Sequence, residues 1–105
     1  MPEHQRTNAQ KAREMINQLH ELSYCLKAVR RNREYDYLET ISGAITTVAN
    51  ECHAEMGETA LVWHLRADAC RMKALSLQDE VSDGHVESVL TATINRLDRQ
   101  ALFLS

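Results

Sequence analysis

The sequence predicts an all-α protein, a helical bundle of about four helices with a long first helix, and three observations predict it. The chain has only three glycines and one proline in 105 residues. Sheets and long loops need such turn formers, whereas helices do well without them. Its apolar residues recur at intervals of three and four, the pitch of a helix face, rather than alternating as in a half-buried strand. The length suits one domain, residues 1–105, and an apolar content of 44% allows a packed core. Phe and Trp occur once each, so that core is built from Leu, Ile, Val, Ala and Met.

The elements follow in order. Residues 1–6 are polar and expected to be frayed. Thr7-Asn8-Ala9-Gln10 has the form of a capping box, which starts the first helix near Asn8 and lets it run to about Arg33. Ala12, Met15, Leu19, Leu22, Leu26 and Val29 are spaced by three, four, three, four and three residues, a heptad seam that Ile16 widens. One helix cannot hide such a stripe, so later helices of the chain or a second copy must cover it. Asn32 to Asp36 interrupts the pattern with a turn, and Asp36 is expected to cap a second helix with Glu39 at its third position.

That second helix carries Leu38, Ile41, Ile45, Val48, Cys52 and Met56 as its seam. Gly43 lies among the small residues Ser42, Ala44 and Ala49. Glycine is costly inside a helix, and the reading stays open between a close helix crossing and a solvent-facing residue. Gly57 ends the helix and Thr59 caps the next, from Ala60 to about Gln78, with Leu61, Leu65, Ala69, Met72 and Leu75 as core and Val62 and Trp63 broadening it. Gln78 to Gly84 is polar and reads as a loop. Ser82 or Asp83 then caps a fourth helix with the stripe Val86, Val89/Leu90, Ile94, Leu97 and Ala101.

Charge and cysteine usage narrow the setting. Residues 1–33 hold seven Lys/Arg against three Asp/Glu, while residues 34–65 hold six acids and no Lys or Arg. These segments either pair or form two solvated faces. The net charge of −3 argues against a dedicated nucleic-acid binder. Cys25, Cys52 and Cys70 form an odd, widely spaced set. With a polar opening and no apolar run of membrane-spanning length, the chain reads as cytoplasmic with reduced thiols.

The residues of reactive chemistry are scattered. His4, His20, His53, His64 and His85 lie on separate segments, and no two are three or four residues apart. The spacings of a zinc or di-iron site are missing. Cys52 and His53 are neighbours, which point about 100° apart on a helix. His53-Ala54-Glu55 has half of a zinc deaminase signature without its cysteine half. His64 and Asp68 are four apart and fit a surface hydrogen bond better than a catalytic dyad. No catalytic, cofactor-binding or metal residue is assigned, and the chain is not expected to be an enzyme. Lys27, Arg30, Arg31 and Arg33 make a basic patch, flanked by Tyr35 and Tyr37, that Glu34 and Asp36 dilute.

What remains is apolar surface. Met15, Leu19, Leu22 and Leu26 on the first seam, Tyr35 and Tyr37 beside the turn, and Leu102-Phe103-Leu104 at the far end are the expected dimer or partner interface. A homodimer is expected because a small domain buries only part of its surface alone. Trp63 is expected in the core.

In size, all-helical make-up and the heptad-bearing helix Ala12–Val29, the chain resembles the small antiactivators of bacterial quorum sensing, the QslA-like group. The resemblance covers the whole chain loosely and carries no diagnostic motif, so no residue role transfers. It implies a cytoplasmic, non-enzymatic dimer that binds a LuxR-type transcription factor and blocks its dimerisation or DNA binding. The alternatives are a small helical nucleic-acid-associated protein using the Lys27–Arg33 patch, and an accessory protein that masks an enzyme.

Overall fold

The computed structural model describes residues 7–105; the frayed segment expected at 1–6 lies outside them. Four helices account for almost all of this span: α1 (Asn8–Asn32), α2 (Leu38–Met56), α3 (Ala60–Ser76) and α4 (Asp83–Leu104), with a 3₁₀ turn at Tyr35–Tyr37. There is no strand among the described residues.

The helix starts are written in side chains. Thr7 Oγ1 accepts from the Gln10 N–H at 3.1 Å, and Gln10 Oε1 accepts from the Thr7 N–H at 2.8 Å. This is the reciprocal box the sequence predicts. Thr59 and Ser82 cap α3 and α4 by accepting from the N–H groups of Val62 and His85. Asp36 does not cap α2: the 3₁₀ turn feeds directly into that helix, with no side-chain cap bond.

The helix ends differ slightly from expectation. α1 stops at Asn32 because Arg33 takes a left-handed conformation, φ 53° and ψ 42°. The Glu34 N–H reaches back to the Val29 carbonyl at 3.1 Å, the bond of a Schellman ending. α3 stops at Ser76, two residues before Gln78. Gly57 closes α2 with φ 76°, a value that suits its missing Cβ.

Cross-helix bonds fix the topology. Ser23 and Arg30 of α1 bond to Asp98 and Thr91 of α4, so these helices run antiparallel. Ser42 donates to the Ala69 carbonyl at 2.7 Å and Glu39 meets Lys73, so α2 and α3 do the same. α2 packs most closely on α3, and α1 on α4; the two pairs face each other across wider seams. The tight α2–α3 approach rests on buried Ser42, Ala49 and Ala69, and Ser42 loses no hydrogen bond by its burial because it donates across the gap. Gly43 plays no part in it. It faces outward, and a Cβ added there would meet nothing within 4 Å.

The core is one cluster fed by every helix, with Leu19, Ile45, Leu65, Met72, Leu90 and Leu97 among its fully buried members. Met15, Leu19, Leu22 and Leu26 all belong to it. This corrects their expected place at an interface: the heptad seam of α1 closes inside a single chain, covered by its own helices, and Leu22 reaches the wall of a surface groove. Periodicity says that a stripe must be covered, not by which chain. On α2 the buried position is Ala49, with Val48 half-buried beside it.

Candidate functional site: the outward apolar faces

Among the described residues six large apolar or aromatic side chains stand out in solvent: Tyr24, Tyr37, Trp63, Leu77, Leu102 and Phe103. They fall into four places. Tyr24 lies on the outside of α1, with the Lys27 ammonium 5.7 Å from its ring centre, a cation–π distance. Tyr37 closes the 3₁₀ turn at the other end of the bundle from Phe103.

Leu102 and Phe103 are the sequence-predicted residues that the structure leaves most open, at 75% and 81% exposed. Leu104 turns inward and packs on the core, as does half-buried Tyr35. The Leu-Phe-Leu end therefore divides its work: one side chain ties the last turn of α4 down, and two point away. Of the nine interface residues expected, Tyr37, Leu102 and Phe103 are exposed, Tyr35 and Leu104 half-buried, and four lie in the core.

Trp63 corrects a second expectation. It is not core but 69% exposed, and Leu77 is 74% exposed. Between them Ala67, Cys70 and Ala74 complete a run at 63, 67, 70, 74 and 77, spaced four, three, four and three. The run lies on the face of α3 opposite Leu61, Leu65, Met72 and Leu75, so this helix is apolar on two sides. The sequence expectation sets Trp63 beside Val62 on one broadened core face and leaves the rest of this outer run unassigned. The signal that separates the two stripes is the phase: Trp63 starts a second heptad series, offset from Leu61 by about half a turn.

Beneath the outer stripe, Asp68 is completely buried and hydrogen-bonded by Arg96 of α4 and, at 3.0 Å, by Arg71. It is the only acidic residue of α3, whose other charged residues are Arg66, Arg71 and Lys73. His64 does not engage it in the way its spacing suggests; the carboxylate faces inward to α4 instead.

Two open grooves flank α2. One, of about 470 Å³, lies toward α1 and is lined by Gln18, Glu21, Cys25, Ala44, Val48 and Glu51. Gln18 bridges it by donating to Glu51 at 3.1 Å. The other, of about 500 Å³, runs beside the outer stripe and is lined by Thr46 of α2 and by Arg66, Cys70, Lys73, Ala74 and Leu77. Lys73 is paired there with Glu39, whose carboxyl is held below the ordinary range by that hydrogen bond and by the ammonium charge.

The basic patch is partly spent within the bundle. Lys27 pairs with Asp98 at 3.0 Å and Arg30 donates to Thr91 at 3.1 Å, leaving Arg31 and Arg33 as its exposed members. Burial opposes the Asp98 charge, yet hydrogen bonds from Ser23 and Lys27 and the nearby Lys27 and His20 charges outweigh it, so the carboxyl lies below its usual value. The three cysteines are unpaired, with Cys25 and Cys70 exposed and Cys52 buried. Burial, aided by the Glu51 charge, pushes the Cys52 thiol up to about 11, which keeps it protonated at neutral pH.

Among the described residues no group of three His, Cys, Asp or Glu is placed to hold a metal ion. No helix of these residues is long and apolar enough to cross a membrane. The fold and its surfaces define an all-α, four-helix protein with several outward apolar faces. Comparison with family models, with curated proteins and with solved structures finds no match.

Proposed function

We propose that the chain is a non-enzymatic regulator that acts by protein–protein contact, with a LuxR-type transcription factor as its target. The observation that carries the contact reading is Leu102 and Phe103, 75% and 81% exposed on the last turn of a helix whose Leu104 is anchored in the core. Large apolar groups held out on a rigid support cost solvation in the free protein and recover it when a partner covers them. A few such anchors supply most of the affinity of an interface. The choice of target rests on the resemblance to quorum-sensing antiactivators, which also implies a homodimer. Since the α1 seam is occupied, either contact uses the outward side chains.

The test pairs the pure protein with a purified LuxR-type activator and its operator DNA. The expected result is loss of the activator–DNA complex on titration, and a light-scattering mass of two chains for the protein alone. Leu102→Ser with Phe103→Ser should abolish the inhibition while leaving the melting curve in place. Unchanged operator binding at saturating protein would defeat the choice of target, and full inhibition by the double variant would defeat the choice of surface.

A further inference from the structure

The outer face of α3 is a second, unoccupied helix seam, and we propose that it docks an amphipathic helix of a partner protein whose apolar stripe is flanked by acidic residues. This rests on the reading that the chain works by binding proteins, and adds a different surface and the chemistry of what it takes. The face has the pattern of half a coiled coil. Trp63, Ala67, Cys70, Ala74 and Leu77 follow heptad spacing over about four turns. Its ends are large and exposed, Trp63 at 69% and Leu77 at 74%. Its middle is small, so an incoming helix can approach closely between two bulky ends. The groove of about 500 Å³ toward α2 gives that helix a bed rather than a bare cylinder.

Charge selects the occupant. On α3 the flanks of the stripe carry Arg66 and Lys73 on the α2 side and Arg71 on the other, while Asp68 is turned inward and completely buried. The helix therefore shows cations and no carboxylate to solvent. Glu39 of α2 engages Lys73 and Asp68 engages Arg71; among the described residues no ion pair engages Arg66. A second copy of α3 laid antiparallel across this face would set Arg66 and Lys73 against their own counterparts. Like charges at flanking positions disfavour pairing, and acidic flanks favour it. A partner helix with Glu or Asp beside its apolar seam fits both the shape and the sign.

Trp63 is the only tryptophan of the chain and sits on the face itself, so docking reads out directly. The probe is a three-heptad model helix with Leu at the seam positions and Glu at the flanks, compared with a counterpart of the same length bearing Lys at the flanks. We expect the Glu peptide to shift Trp63 emission to the blue in a saturable way and to bind at least about tenfold more tightly than the Lys peptide. It should also shield Cys70 from maleimide in a Cys25→Ser background. Arg66→Glu with Lys73→Glu should reverse the preference, and Ala74→Glu, at an exposed position, should weaken both peptides without altering the helical content. Equal affinities for the two peptides, or no shift with either, overturns the proposal. So does Trp63 emission that is already blue and varies with protein concentration, which would mean that a second copy covers α3. No transcription factor enters this assay, so its failure and that of the proposed target are separable.

Discussion

Asp68 joins α3 to α4 from within, and removing its charge measures how much that clamp contributes. The carboxylate is wholly buried, Arg96 is 28% exposed and Arg71 is 57% exposed. A hydrogen bond to a charged group contributes about 1.5–3 kcal/mol. The Arg96 bond belongs in that range, whereas the Arg71 bond, from a guanidinium that water already reaches, adds less than about 1 kcal/mol. Asp68→Asn keeps the shape and one acceptor and discards the charge, so a loss of about 2 kcal/mol is expected. Asp68→Ala also strands Arg96 and should cost about 3–4 kcal/mol. For a domain near this size ~1 kcal/mol moves Tm by about 4–6 °C, so Asp68→Asn should melt roughly 10 °C below wild type by circular dichroism. Asp68→Leu combined with Arg96→Met should recover most of the Ala loss, because no charge is then left unpaired. A Tm for Asp68→Asn within about 2 °C of wild type would refute the reasoning.

Two further perturbations bear on local features. Arg33 holds φ 53° at the end of α1, where an L side chain is strained and glycine is not; Arg33→Gly should stabilise the fold by about 0.5–1 kcal/mol in urea titration, and a destabilised variant would mean that the Arg33 side chain matters more than its backbone. Asp98, with its carboxyl lowered in the folded state, contributes stability that is present above the ordinary carboxylate range, about pH 4, and is lost as pH falls through the folded value. Ser23→Ala removes one of its donors, so the stability lost between neutral and acid pH should shrink in that variant. Urea midpoints across the acid range check this, and parallel curves for the two proteins would count against it.

The sequence made the architecture legible because its helices announce themselves locally. Thr7, Thr59 and Ser82 each sit where a free N–H needs an acceptor, and the stripes of α1 and α4 need only a helical pitch to be seen. What it left hidden depends on relations between helices. Leu22 and Leu26 look the same in a seam closed by α4 and in one closed by a second chain. Gly43 and Ser42 are neighbours, yet Ser42 makes the close α2–α3 contact and Gly43 faces open solvent. On α3 the core and the outer stripe overlap in a hydrophobicity count, and their phase, about half a turn between Leu61 and Trp63, is what separates them. Leu102, Phe103 and Leu104 stand out in the sequence as three large apolar groups in a row, but which of them turns inward is decided by the packing of the last turn of α4.

The two tight helix pairs sit very differently along the chain. α2 and α3 are joined by a hinge of three residues, whereas Ser23 and Asp98 are 75 positions apart. Ring closure becomes more costly by about 0.6 kcal/mol for each doubling of the enclosed segment, so the central hairpin is expected to zip first and the outer embrace of α1 and α4 to form last. Transient opening is expected to follow the reverse path, with α1 and α4 parting while the middle of the chain keeps its amide protons, which hydrogen exchange would read residue by residue.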